Sequence, residues 1–385
     1  MRFSEFDVYW TTYKLEACAK IYDGTHQTPK YTKSGIRFIS VENISNLYDS
    51  QKFISLEDFK KEFKIHPQIN DILMTRIGDI GTPAVVSKED PLAYYVSLAL
   101  IRPLKNLYYL YIYDYIQTPY FKKELWHRTL HIAFPQKINK EEIGKCKISI
   151  PCEKEQFKIG NFLLLIDQRI NTQSKIIEDL ESFKNMISYK ILYDDKTACY
   201  KPLSSFSELK NGYAFKSTTY SSKGDYQIVT IANVSGDRYI DLTSSNKILN
   251  IPNDIQSHQI LKINDILISL TGNVGRVSYC NKLNCLLNQR VGLLSIKNKD
   301  LIEYIFQCIH NKIFEKTMIS RGQGVAQLNI GKNDVESFEI PVYSQDRMNS
   351  ISEVLKSIDY KIIKEKDILE LYKKQKAYLL KNMFI

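Results

Sequence analysis

Hydrophobic and polar residues follow two different patterns along this chain. Short segments that are apolar, or that alternate apolar with polar residues, include FISV (38–41), DILMT (71–75) and SLALI (97–101), and this pattern predicts β-strands. The segment YIYDYIQTPYFKKELW (111–126) instead has the aromatic and aliphatic spacing of a helix. These elements predict a mixed domain in the first part of the chain.

Two longer stretches, which follow Pro151 and Pro341, repeat apolar residues at alternating steps of three and four. This heptad pattern predicts two helices of about forty residues, roughly 55 to 60 Å long, with the two prolines at their starts. Two positions in each seam are polar. The predicted seam positions are Leu163, Ile166, Ile170, Gln173, Ile177, Leu180, Lys184, Ile187 and Ile191, and then Leu355, Ile358, Ile362, Glu365, Leu369, Tyr372, Lys376, Leu379 and Met383.

The chain contains an internal duplication. INDILMTRIGDIG (69–81) recurs as INDILISLTGNVG (263–275), with its turn glycines in the same places. FLLLIDQRI (162–170) likewise matches VLKSIDYKI (354–362). Further matches occur in the same order at offsets of about 190 residues. The chain is therefore a tandem repeat of one unit, which we interpret as a globular domain followed by a long helix.

This organisation predicts an α+β fold with two tandem globular domains, each followed by a long helix. The predicted boundaries are 1–152 and 196–342 for the domains and 153–195 and 343–385 for the helices. A helix with one apolar seam needs a partner, so the two helices are expected to pair as an antiparallel coiled coil. The alternative, in which each helix packs separately on its own domain, stays open at this stage.

Composition adds a hint about partners. Lys and Arg total 53 against 43 Asp and Glu, and the formal net charge of +10 favours a polyanionic ligand such as DNA, with RNA ranked lower. The chain has no phosphate-loop motif and no adenine methyltransferase motif, so a stand-alone enzyme is not expected. No apolar run is long enough to span a membrane, which favours a cytoplasmic protein without a membrane partner.

The segments between the repeated strands differ from one another. DGTHQTPKYTKSG (23–35) stands where the second unit has KNGYAFKSTTYSSKG (210–224), and both are rich in hydroxyl, amide, basic and aromatic groups. Such side chains bond phosphates and read base edges. Two similar domains with different loops predict an asymmetric target in two parts. A coiled-coil scaffold whose globular domains bind protein ligands is the alternative.

The chain resembles the specificity subunit of type I restriction-modification systems over essentially its full length. The resemblance is carried by residues 23–45 and 211–220, by the repeated phrases DILMTRIGDIG (71–81) and DILISLTGNVG (265–275), and by the two IP junctions (150–151 and 340–341) that lead into the helices. The resemblance implies two target recognition domains that bind double-stranded DNA, and a helical pair that docks two methyltransferase subunits. Restriction and translocase subunits would join them. It also implies a non-catalytic chain that binds no cofactor, because S-adenosylmethionine, ATP and Mg belong to the partner subunits.

The expected DNA-binding residues are hydroxyl, amide, basic and aromatic side chains on the loops, with no catalytic or metal-binding residue among them. Lys30 and Lys216 are candidate phosphate contacts, and Arg76, Arg276 and Arg290 are candidates for phosphate or guanine. The full set is Thr25, His26, Gln27, Thr28, Lys30, Tyr31, Arg76 and Thr82 in the first domain, and Asn211, Tyr213, Lys216, Ser217, Thr271, Asn273, Arg276, Gln289, Arg290, Arg321 and Gln323 in the second.

Overall fold

The computed structural model describes residues 2–194, 198–324 and 327–384. The chain forms two compact units, one made of residues 1–174 with 368–385 and the other of residues 175–367. Within the part of the chain that the structure describes, no helix is both long and apolar enough to cross a lipid bilayer.

The described part of the first repeat contains nine strands and four short α-helices before its long helix. The strands are β1 (Thr11–Lys14), β2 (Ala19–Asp23), β3 (Ile36–Ile39), β4 (Phe53–Ile54), β5 (Ile72–Thr75), β6 (Pro83–Val85), β7 (Leu92–Tyr94), β8 (Leu98–Pro103) and β9 (Lys147–Ile150). The helices are α1 (Leu56–Glu62), α2 (Tyr109–Gln117), α3 (Pro119–Arg128), α4 (Lys140–Gly144) and the long α5 (Glu153–Leu192).

The second repeat follows the same plan. Its strands are β10 (Cys199–Pro202), β11 (Ser207–Asn211), β12 (Tyr226–Val229), β13 (Asn246–Ile248), β14 (Ile260–Leu261), β15 (Ile266–Ser269), β16 (Val277–Tyr279), β17 (Cys285–Leu287), β18 (Val291–Ile296) and β19 (Glu339–Val342). Its helices are α6 (Ile302–Ile309), α7 (Lys312–Arg321), α8 (Lys332–Glu336) and the long α9 (Gln345–Asn382).

The sheets of the two repeats have matching topology. An antiparallel sheet has the order β2-β8-β5-β6 in the first repeat and β11-β18-β15-β16 in the second. A second sheet contains one parallel pair in each repeat, β3 with β7 and β12 with β17. The duplication seen in the sequence therefore extends to strand order, and the predicted α+β fold is confirmed.

The repeated turn phrase has the same backbone in both copies. Gly81 and Gly275 both have positive φ angles, 95° and 78°. A Cβ at either position would lie 2.6 Å from a side chain of the following helix region, Leu125 or Met318. These glycines hold the turn close to α3 and α7, because any larger residue there would be strained and would collide.

Two details of the predicted elements are wrong. The helix predicted at 111–126 is divided into α2 and α3, because Pro119 cannot continue a helix and Thr118 caps the second one by accepting a hydrogen bond from the Phe121 amide at 3.2 Å. The second detail concerns Pro341, which was predicted to start the last long helix and does not. It lies in β19 opposite Tyr200, and α9 begins at Gln345.

The long helices are as long as predicted, with 40 residues in α5 and 38 in α9. Every predicted seam position is buried or half-buried. Within the first unit, the final turns of α9 pack on the first repeat, where Phe384 joins the core cluster of Ile159 and Leu163. This placement excludes the alternative in which each helix packs only on its own domain.

Polar seam positions form ion pairs whose order shows that the helices run antiparallel. In the second unit Lys184 pairs with Asp359 at 2.5 Å, and the Tyr343 hydroxyl donates to the Leu192 carbonyl at 2.9 Å. In the first unit Lys376 pairs with Asp167 at 2.6 Å. Rising residue numbers on α5 thus meet falling numbers on α9, as predicted.

The Lys184–Asp359 pair belongs to a buried polar cluster in the second unit. Asp359 also accepts from Arg238 at 3.0 Å and from Gln307 at 2.8 Å. Lys184 Nζ lies 2.9 Å from His310 Nδ1, while His310 Nε2 donates to the Gly236 carbonyl at 2.8 Å. The imidazole is therefore neutral, because a nitrogen facing an ammonium group acts as the acceptor. Burial and the Lys184 charge lower the pKa of His310 to about 3.

Stability should therefore depend on His310 in acid. Its folded pKa lies below the unfolded value of about 6.5, so the unfolded chain takes up a proton first, and the contribution present above pH 6.5 is lost as pH falls toward 3. We expect urea denaturation to show that the difference in stability between the wild type and His310→Gln decreases from pH 7 to pH 5. A constant difference across that range would contradict the neutral, buried assignment.

Candidate nucleic-acid interface

Four loops of the first repeat meet at one end of its antiparallel sheet. Residues 24–31, 76–81, 95–97 and 129–137 form what we call the first loop cluster. Backbone hydrogen bonds join them: the Val96 amide donates to the Thr25 carbonyl at 2.9 Å, the Arg76 amide to the Ser97 carbonyl at 3.0 Å, and the Gly78 amide to the Gln136 carbonyl at 2.8 Å. The cluster is thus held by main-chain contacts that do not depend on its exposed side chains.

The second repeat builds a matching set from residues 211–217, 270–275, 288–290 and the described part of 322–329, the second loop cluster. The Gln289 amide donates to the Tyr213 carbonyl at 2.9 Å, and the Leu270 amide donates to the Arg290 carbonyl at 3.0 Å. Gln323 and Asn329 exchange backbone hydrogen bonds at 3.0 and 2.8 Å. The equivalent loops therefore have the same main-chain frame in both repeats.

In the first cluster the predicted loop residues lie at the surface. His26, Gln27, Thr28, Lys30 and Tyr31 are exposed, and Thr25 is half-buried. Local contacts order the loop: the Thr25 hydroxyl donates to the Gln27 carbonyl at 3.3 Å, and the Tyr31 ring packs against Phe38 with centroids 5.7 Å apart. Thr82, just after the turn, is exposed and donates to Asp79 at 2.6 Å.

Arg76 differs from the other predicted residues. Only 6% of its surface is exposed, its Nε donates to the Ile138 carbonyl at 3.0 Å, and its Nη1 pairs with Asp23. This guanidinium ties the turn to β2 and to the following loop, so the structure does not present it to a ligand. The matching position of the second repeat is the buried Leu270, which shows that the site belongs to the core side of the turn.

In the second cluster the structure brings five predicted residues together. Arg290, Gln289 and Gln323 are exposed, and Tyr213 and Thr271 are half-buried. The Tyr213 hydroxyl donates to Asp254 at 2.8 Å, and this hydrogen bond raises the pKa of Tyr213. The remaining predicted residues of this cluster are exposed as well: Asn211, Lys216, Ser217 and Asn273.

Two predicted arginines lie outside this group. Arg276 is half-buried near Glu315, with Nε and Oε1 3.9 Å apart, and it lines a cavity of about 450 Å³ together with Asp237 and Lys366. Arg321 donates to the Asp334 carbonyl at 2.5 Å and to Ser337 at 3.2 Å, so part of its fork is used to hold α8. Neither is grouped with Arg290 by a contact within the second loop cluster.

Residues 129–137 were missing from the sequence-based prediction, although they contribute a full arm of the first loop cluster. Lys137 and His131 are exposed there, and Lys137 forms β-bridges with Leu130 and Ile77. Gln323 of the matching arm was predicted, but the two arms, TLHIAFPQK (129–137) and GQGVAQLN (322–329), show no clear sequence match. The match is seen in the backbone, where the Gly78 amide donates to the Gln136 carbonyl and the Gly272 amide to the Leu328 carbonyl, both at 2.8 Å.

The side chains of both clusters suit a polyanion that also presents hydrogen-bonding groups on its bases. Amides and hydroxyls can donate to or accept from bases, exposed Lys and Arg can contact phosphates, and Tyr can stack or bond. Each cluster offers these groups on an ordered frame with a different choice of side chains. Such an arrangement can bind and discriminate.

The family and sequence comparisons agree with this description. The model of the type I restriction modification DNA specificity domain matches the chain twice, at residues 8–182 and 197–372. The chain is also similar to a putative type I restriction enzyme specificity subunit from Methanocaldococcus jannaschii, with 27% identity over 370 residues that cover 90% of this chain and 84% of the relative.

Two solved structures show the same fold. The S subunit of a type I restriction-modification system from M. genitalium has a TM-score of 0.61 at 14% identity, covering 99% of this chain and 98% of that one. A chain from a structural study of complex assembly and conformational transition of the type I system has a TM-score of 0.58 at 11% identity, covering 98% and 97%. At these identities the likeness is one of fold.

Proposed function

Because this chain belongs to the family of type I restriction-modification DNA specificity proteins, we propose that it selects an asymmetric DNA target in two parts, one for each loop cluster. The observation that carries the proposal is the matching main-chain frame of the two clusters together with their different exposed side chains. A shared frame supports contact of each cluster with a similar surface, for which we propose a DNA groove. Different side chains select different bases there.

The charge of the chain supports DNA as the ligand. The net charge of +10 attracts a polyanion, and exposed Lys30 and Lys216 lie on equivalent loops of the two repeats. Phosphate contacts of this kind position a protein on the duplex, whereas Gln289 and Arg290 are suited to base edges. We place the complex in the cytoplasm, as the compartment that holds its DNA.

The long helices are the proposed docking surface for two methyltransferase subunits, which supply S-adenosylmethionine chemistry, and for the restriction subunits with their ATP and Mg. Large apolar side chains outside the seam positions remain exposed along both helices. They include Leu165, Phe183, Met186 and Tyr189 on α5, and Val354, Leu371 and Tyr378 on α9. Exposed apolar groups along a helix are suited to a protein partner. In this assembly the chain itself performs no chemistry.

The decisive experiment is to express the chain with its methyltransferase subunits and to map modified adenines across a genome, beside a control that lacks the chain. We expect methylation of one bipartite, non-palindromic motif only when the chain is present. A soluble complex that methylates no new motif would overturn the proposal and would favour the protein-binding scaffold.

Two substitutions separate base reading from phosphate binding. Arg290→Ala should cost about 1–3 kcal/mol of binding and relax one position of the target, whereas Lys216→Ala should weaken all sequences alike and lower the salt slope by about 1. Fluorescence anisotropy with the target duplex and single-base variants, at several salt concentrations, measures both effects. Equal loss on every duplex for Arg290→Ala would show that this arginine contacts phosphate instead.

A further inference from the structure

The loop between α3 and α4 carries two large apolar side chains that the fold does not use. Ile132 and Phe134 are 99% and 104% exposed, so neither packs on the domain that carries it. Scattered apolar residues are common on surfaces, but two fully exposed ones only two residues apart on one loop are unusual. Their exposure points to a ligand that covers them.

The loop is held firmly at its base and on one side. The Leu130 amide donates to the Lys137 carbonyl at 2.8 Å, and the Ile138 amide donates to the Arg76 carbonyl at 3.0 Å. His131 Nε2 donates to the Trp126 carbonyl at 2.8 Å, and the two rings lie 4.9 Å apart. The apolar tip is therefore presented from an ordered base rather than from a free strand of chain.

The surroundings of the tip favour a polyanion. Lys122, Lys123 and Lys137 are exposed on α3 and on the loop itself. The neighbouring acid Glu124 is paired with Arg128 at 3.3 Å. An apolar tip on a loop that carries one exposed lysine, next to a helix that carries two more, suits the DNA duplex, since such cations contact phosphates while apolar groups reach the base stack.

We propose that Ile132 and Phe134 form an apolar wedge that inserts at a base step in the half-site bound by the first repeat. The inference rests on the proposed function and adds to it the recognition of a base step by unstacking. The matching segment of the second repeat, GQGVAQL (322–328), contains no aromatic residue, so we assign the wedge to the first repeat. Unstacking is easiest at pyrimidine–purine steps, and the wedge selects such a step without a hydrogen bond to a base.

The test uses the complex with its methyltransferase subunits and duplexes that carry the mapped target. 2-Aminopurine is placed at successive positions through both half-sites, and its fluorescence reports unstacking. The wild type should raise the signal at one step of one half-site only. Phe134→Ala should abolish that rise and weaken binding roughly ten-fold or more, while Phe134→Leu, which keeps an apolar wedge, should retain most of both.

Leu104→Ala is the matched control, because Leu104 is also exposed and lies beyond the opposite end of β8. It should leave binding and fluorescence unchanged.

If Phe134→Ala keeps the fluorescence rise, the wedge is wrong, although methylation of a bipartite motif would still support the proposed function. If Phe134→Ala leaves DNA binding intact but releases a methyltransferase subunit, the tip is a protein contact and the wedge is also wrong. Failure of the wild-type complex to bind its DNA would overturn both.

Discussion

Replacing Asp359 with asparagine is expected to lower the free energy of unfolding by about 3–5 kcal/mol, the usual cost of removing one partner of a buried ion pair. The side chains of Lys184 and Asp359 are only 8% and 4% exposed. Asp359 accepts from Lys184, Arg238 and Gln307 at once. Asparagine has nearly the same shape but no charge, so Lys184 and Arg238 lose the buried carboxylate that they share.

Urea denaturation of the purified chain measures this effect. Glu370→Gln is the control on the same helix, because Glu370 pairs with Lys373 at the exposed surface and its loss should change stability little. A double variant, Asp359→Leu with Lys184→Met, should recover much of the loss, since no uncompensated lysine remains. Equal effects of Asp359→Asn and Glu370→Gln would show that the buried pair contributes no more than a surface one.

Replacing Phe384 with alanine should lower the free energy of unfolding by about 3–5 kcal/mol through the cavity that it leaves. Phe384 is 1% exposed. Its ring lies 5.4 Å from Tyr111, 5.6 Å from Tyr115 and 6.4 Å from Trp10, centroid to centroid. These three residues belong to the first repeat, so the substitution should weaken the first unit although it lies in the second repeat.

Leu371→Ala tests whether the effect comes from burial or from a change in α9 itself. Leu371 is 62% exposed on α9, the helix that ends two residues before Phe384, and its replacement should change stability by no more than about 0.5 kcal/mol. Hydrogen exchange should localise the loss caused by Phe384→Ala to α2 and to the start of α5. Exchange that rises only in the second repeat would contradict the packing described here.

The sequence predicted the parts of this protein that depend on local pattern. Strand segments, turn glycines and the two heptad seams each follow from a short window, because side-chain period and backbone sterics act between near neighbours. The break between α2 and α3 at Pro119 also follows from local sequence, since a proline disfavours a helical backbone at the residue before it. An alignment of the two repeats also matches Arg76 with Leu270, and an apolar residue at this position indicates a buried site.

The chemical role of each exposed loop residue stays a prediction. His26, Gln27, Lys30, Gln289 and Arg290 lie where the loops were expected to present them. Exposure allows a base contact or a phosphate contact but does not distinguish them, because that choice depends on where the groove lies.

By itself the sequence determined that the chain is a duplicated α+β protein, that it belongs with the DNA specificity subunits, and that Lys184, Lys376, Asp167 and Asp359 occupy repeated positions. Only the tertiary structure decided that these groups pair crosswise, Lys184 with Asp359 and Lys376 with Asp167, and that Phe384 is buried in the first repeat. The physical reason is distance along the chain. A repeat records which residues are equivalent, whereas an ion pair or a packed ring depends on which residues the folded backbone brings within a few ångströms.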